Sequence, residues 1–120
     1  MSADNRLSGL RILIAEDEYF LAEDIANTLT QCGAVVVGPV ATLAEAFELA
    51  EQPLDAAILD INLRGTLVYP LADHLASRGV RLLFATGYSA SVIPARYDHV
   101  PRCEKANTSA EIAAALFPVR

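Results

Sequence analysis

Residues able to do chemistry stand at the ends of short apolar runs in this 120-residue chain. Glu16, Asp17 and Glu18 follow RILIA at Arg11–Ala15. Asp60 directly follows DAAIL at Asp55–Leu59, Thr86 follows the run VRLLF at Val80–Phe84, and Lys105, the chain's single lysine, lies beyond Val100–Cys103. Taken singly, these residues have ordinary roles: an acid after a strand caps a helix, a threonine satisfies backbone, a lysine is solvated. Asp60 fits that account least, because a carboxylate closing an apolar strand is poorly hydrated unless it is paired or metal-bound.

Together the set suits one chemistry. Glu16, Asp17 and Asp60 crowd negative charge that a divalent cation relieves. All-oxygen ligands with open positions suit Mg²⁺, which keeps waters and bridges to phosphate oxygens. With its charge offset, Asp60 can attack phosphorus as a carboxylate nucleophile. Lys105 and the Thr86 hydroxyl are then placed to hold phosphoryl oxygens.

The elements that must position these groups alternate. Arg11–Ala15, Ala34–Val37, Asp55–Leu59, Val80–Phe84 and Val100–Cys103 read as strands, the last with little strand character in VPRC. Between them Glu18–Gln31 reads as a helix with Leu21, Ile25 and Leu29 on one face, closed by Gly33. Thr42 caps a helix to about Glu51, with Glu45 completing a capping box and Pro53 stopping it. A loop containing Gly65 leads to a helix over Val68–Ser77, where Pro70 is tolerated in the first turn. Ser89–Ala95 is a weaker helix, and Thr108 with Glu111 opens another through Leu116.

Five such repeats predict an α/β fold: a parallel sheet covered by helices on both faces, with right-handed connections. Ligands of such sheets bind beyond the carboxyl ends of the strands, where the strand order reverses. The chemically able residues are expected along that edge.

Composition narrows the classes. The length fits one domain, 53% hydrophobic content supports a core, and a net charge of −6 with eight arginines and one lysine offers no basic footprint for nucleic acid. The longest uncharged run, 25–44, carries Asn27, Gln31, Gly33, Gly38 and Pro39, so a membrane span is not expected. MSADNRLSGL has no apolar signal core, which points to the cytoplasm, and Cys32 and Cys103 read as two free thiols. There is no G-x-G-x-x-G, no G-x-x-x-x-G-K-[ST] and no G-x-S-x-G. His74 and His99 lack metal-ligand spacing and read as surface residues.

LIAEDE at 13–18, ILDINL at 58–63, FATGY at 84–88 and the isolated Lys105 stand in an order and separation that resembles the receiver domain of bacterial two-component response regulators, over 11–116. The resemblance implies a flavodoxin-like (βα)5 three-layer sandwich with strand order 2-1-3-4-5. It implies that Asp60 accepts a phosphoryl group, that Glu16, Asp17 and Asp60 hold Mg²⁺ with the Asn62 backbone carbonyl completing the site, and that Thr86 and Lys105 contact the phosphate. The implied donor is a histidine kinase or histidine phosphotransfer protein. Output is expected through contact with a downstream protein target, since no second domain follows Leu116. Such a protein accepts a phosphoryl group, and slowly hydrolyses it, without being a conventional enzyme.

Three positions depart from the family pattern. Ala106 stands where a proline usually follows the lysine, and a non-proline cis bond is disfavoured by roughly 2.5–4 kcal/mol. Arg102 replaces the usual aromatic switch. Tyr88 within FATGY is similar to the stand-alone FATGUY subgroup, and either takes over switching or simply packs. Two alternatives remain at this stage: a receiver fold kept as a phosphorylation-independent binding module, and a small aspartate-nucleophile phosphatase, whose D-x-D pattern D-I-N lacks.

Overall fold

The apolar runs pair as parallel strands. A computed structural model describes residues 7–87, 93–105, 111, 112 and 115. In it β1 (Arg11–Ala15) lies between β2 (Val35–Val40) and β3 (Ala56–Asp60), followed by β4 (Arg81–Thr86) and β5 (Arg102–Glu104). The order β2-β1-β3-β4-β5 is the one the resemblance implies, and every neighbouring pair is parallel.

Strand side chains alternate between two cores, as a period of two requires. Leu13, Leu59, Leu82 and Phe84 pack on one face with Ala46 of α2 (Leu43–Leu49) and Leu71 and Leu75 of α3 (Tyr69–Ser77). Ile12, Ile14, Ile58 and Leu83 pack on the other with Ile25 and Leu29 of α1 (Tyr19–Gln31) and with Ile112. These are the helix-covered faces of a three-layer sandwich.

Local signals set most helix ends. After α1 the Ala34 N–H returns to the Leu29 carbonyl at 3.0 Å and the Gly33 N–H to that of Thr30 at 3.0 Å, a Schellman closure with Gly33 at φ 91°. At the start of α2 the Thr42 hydroxyl oxygen accepts from the Glu45 N–H at 3.2 Å and its O–H donates to Glu45 Oε1 at 2.9 Å. Thr42→Ala is therefore expected to destabilise the domain by about 1 kcal/mol, read as a lower urea midpoint at unchanged slope. Pro70 falls in the first turn of α3.

The structure differs from the sequence-based expectations at several edges. β2 runs on through Gly38 and Pro39 to Val40 rather than stopping at Val37. Leu13 faces Val37 but Ala15 faces Val40, so β2 carries one extra residue, a bulge. Gly38 sits there at φ 99°, where a Cβ would lie 2.9 Å from the Ile14 carbonyl oxygen. The stretch after β3, expected as a loop, is an antiparallel hairpin of Asn62–Leu63 and Thr66–Leu67, with Arg64 at φ 52° and Gly65 at φ 88°. β5 starts at Arg102 rather than Val100.

Ala95, expected to end a helix, instead opens a 3-10 turn, Ala95–Tyr97. Most of that helix, the Thr108 cap, Tyr88 and Ala106 lie outside the described residues. Both cysteines are free. Of the histidines read as surface residues, His99 is exposed and His74 is half-buried. No helix among the described residues is long and apolar enough to cross a membrane.

Candidate functional site

Strand register brings the chemically able residues to one edge. Asp60, the last residue of β3, pairs with Ala85, and Thr86, the last of β4, pairs with Glu104. Lys105 follows at once. The Glu16 N–H bonds the Val40 carbonyl of β2 at 2.9 Å, and Ala15 of β1 pairs with Leu59 of β3, so the acids after β1 leave the sheet next to Asp60. All the residues singled out at this edge meet there. A crevice of about 460 Å³ is lined by Asp17, Glu18, Asp60, Asn62, Thr86, Gly87 and Lys105.

Lys105 is the hub. Its Nζ donates to Asp60 Oδ2 at 2.8 Å, to Glu18 Oε2 at 2.7 Å and to Glu16 Oε2 at 3.1 Å. An ammonium has three N–H groups, so these carboxylates match its whole donor capacity. Asp60 Oδ1 in turn accepts from the Asn62 N–H at 3.1 Å, and Asp17 Oδ2 accepts from the Arg64 N–H at 3.0 Å. The hairpin after β3 is thereby tied to the acid after β1. Asn62 Oδ1 accepts from the Gly65 N–H at 2.7 Å, which fixes the turn.

Electrostatics follow burial. Glu16 and Asp60 are buried, with relative exposures of 3% and 5%, and Thr86 is buried beside them. Burial pushes Glu16 up from 4.5 to about 7, aided by the Asp60 charge and only partly countered by the Glu18 N–H and Lys105. Asp60 is raised as well, burial outweighing its bonds from Lys105 and Asn62. Asp17 is held below its ordinary value: burial pushes it upward, but the Arg64 N–H and a hydrogen bond with Asp60 prevail. Burial pulls Lys105 down, yet its bonds to Asp60, Glu18 and Glu16 hold it above the usual lysine range, fully charged.

Glu16, Asp17 and Asp60 each offer a carboxylate oxygen, all within 4.8 Å of one another. Glu16 Oε1 is buried with no hydrogen-bond partner among the described residues. An orphaned carboxylate oxygen beside two further carboxylates fits a small hard cation such as Mg²⁺.

Glu18 was not among the candidate site residues. Its signal was the third acid in the run Glu16-Asp17-Glu18, which sequence alone could not distinguish from a helix cap. A larger hollow of about 550 Å³ lies at the opposite end of the sheet, near Gly79–Leu82. Its Arg96 and Asp73 are paired with each other at 3.0 Å, and it contains none of the candidate site residues.

No protein-family model matches the chain, and no curated protein does. Solved structures do. SdrG from Sphingomonas melonis Fr1 is 37% identical, over 97% of this chain and 96% of that one, with a TM-score of 0.79. A response regulator receiver protein from Sinorhizobium medicae WSM419 is 25% identical, over 92% and 93%, at 0.76. A response regulator protein from Burkholderia pseudomallei, with a phosphorylated aspartic acid, calcium ion and citrate, is 25% identical, over 89% of this chain and 66% of that one, at 0.77. End-to-end likeness of this kind, on a parallel sheet of order 2-1-3-4-5 with its acids and lysine gathered at one edge, places the chain in the response regulator receiver domain family.

Proposed function

We propose that this protein is a stand-alone receiver that takes a phosphoryl group onto Asp60 from the phosphohistidine of a histidine kinase or phosphotransfer protein. It works in the cytoplasm, depends on Mg²⁺, and signals by contact with another protein. The observation that carries the proposal is the Asp60 carboxylate at the strand end, held between Lys105 at 2.8 Å and the Asn62 N–H at 3.1 Å beside two further acids.

In the transfer, a carboxylate oxygen of Asp60 forms a bond to phosphorus as the P–N bond of the donor breaks. The bonding pair leaves with the imidazole nitrogen, which is protonated. Catalysis of this kind is mostly positioning and charge neutralisation. Lys105 and the Thr86 hydroxyl hold the phosphoryl oxygens, and the crevice has room for the group. Glu16, Asp17, Asp60 and the Asn62 carbonyl would hold Mg²⁺. When bound, that ion offsets the repulsion between the acids and the incoming phosphate. The protein accepts the group and slowly releases it, rather than turning over a substrate.

The test is intact mass after incubation with Mg²⁺ and a small acyl phosphate. One added phosphoryl group supports the proposal. No adduct together with no phosphate released from the donor refutes it.

A pH dependence follows from Glu16. Its native value near 7 lies above its ordinary 4.5, so its contribution to stability is full below 4.5 and is lost as pH rises through 7. Mg²⁺ must displace that proton, so the rise in melting temperature on adding Mg²⁺ should be small near pH 5.5 and larger near pH 8. In Asp17→Ala the rise should vanish at both pH values while the domain still folds, because Asp17 is only half-buried. A rise independent of pH, or one that persists in Asp17→Ala, would count against this metal assignment.

A further inference from the structure

Glu18 occupies the N-cap position of α1 with φ −90° and ψ 109°, yet its side chain makes no capping bond. Its carboxylate, 61% exposed, instead reaches across the crevice mouth to Lys105 Nζ at 2.7 Å, the shortest of that lysine's three ion pairs. The backbone N–H of Glu18 is satisfied by Glu16 Oε2 at 3.0 Å. A side chain that forgoes the helix end beside it and spans to the last strand is held there by the lysine.

We propose that Glu18 is a positioning residue, a latch that holds Lys105 when no phosphoryl group is present and competes with that group for the ammonium. The proposal rests on Asp60 being the phospho-acceptor. All three Lys105 donors match carboxylates, so a phosphoryl oxygen can gain one only if a carboxylate gives one up. Glu16 is buried and also bound by the Glu18 N–H, and the Asp60 carboxylate keeps the ammonium beside it until its oxygen has bonded to phosphorus. Glu18 is the exposed partner, whose carboxylate water can solvate on release, so its bond is the one exchanged. The latch sets a threshold: the lysine leaves Glu18 only when a stronger anion arrives.

The experiment compares wild type, Glu18→Gln, Lys105→Met and the double variant. With an acyl phosphate and saturating Mg²⁺, Glu18→Gln should form the phosphoryl adduct about two- to five-fold faster, the range set by an exposed ion pair. The Mg²⁺ concentration for half-maximal rate should not change, since Glu18 is not a metal ligand. In the Lys105→Met background the same substitution should have no effect. An equal acceleration in that background would mean that Glu18 acts only as a negative charge near the donor, and would overturn the latch. So would an unchanged or slower rate in Glu18→Gln itself.

A second readout needs no phosphorylation. The Lys105 ammonium ¹⁵N resonance of the metal-free protein should shift in Glu18→Gln, and an unmoved resonance overturns the latch. If wild type takes no phosphoryl group while the resonance does shift, the acceptor assignment fails and the ion pair stands.

Discussion

Asp60→Asn should take up no phosphoryl group under conditions that fully modify wild type, and should release no phosphate from the donor. An amide has no anionic oxygen to form the acyl phosphate. Its shape is that of the carboxylate it replaces, so the site remains otherwise in place. The amide oxygen can still accept from the Asn62 N–H, but the NH₂ then faces Lys105, which loses one of its three acceptors. Against that loss, the substitution removes one of three crowded negative charges. The two effects oppose each other, and metal-free stability is expected to stay within about 1 kcal/mol of wild type. Intact mass and urea unfolding check both halves. An adduct retained on the variant would place the acceptor elsewhere.

Lys105→Met should produce the largest loss of stability among the site variants, about 3 kcal/mol near pH 8 without Mg²⁺, in line with removing one partner of a buried ion pair. The Lys105 side chain is only 18% exposed and contacts two carboxylates that are nearly inaccessible. With the ammonium gone, Glu16 and Asp60 keep the burial that already raises them and lose its opposing pull. Groups raised in the folded state stabilise it fully below their unfolded values and lose that contribution as pH rises through the folded ones. The variant's deficit should therefore be small near pH 4.5 and grow to its full size by pH 8, and Mg²⁺ should recover part of it. Urea midpoints at the two pH values decide the matter. A deficit equal at both would mean that Lys105 contributes packing rather than charge.

The legible parts of the sequence are those whose physics is local. The apolar runs at Arg11–Ala15 and Asp55–Leu59 could only be buried strands, and the Thr42–Glu45 box and Gly33 marked helix ends that the structure keeps. β2 was cut short because Gly38 and Pro39 break strands in general. They are tolerated here because β2 is an edge strand, where a missing donor goes unnoticed and a bulge can absorb the extra residue. The hairpin after β3 was missed because its two-residue arms are too short to show a period, and only Gly65 of its turn pair signals a positive φ. The acids and Lys105 were identifiable as residue types at strand ends. That Glu18 joins them was not, because an acid at the N-cap position of a helix has the same local pattern whether it caps the helix or reaches across to Lys105.

Because the compensating ammonium comes from beyond the last strand, the balance of the site is settled late in any chain made from its N-terminus. Asp60 and the acids after β1 are synthesised well before Lys105, at a sequence separation of up to 89 residues. Until β5 docks beside β4, the half-made sheet carries a cluster of like charges at the edge where it should close. Those acids can escape only by holding protons or a cation, or by leaving the edge frayed. Completion of the fold thus supplies the pocket's own counter-charge, and a nascent domain still lacking its final strand must borrow one from protons or a metal ion or leave that edge unformed.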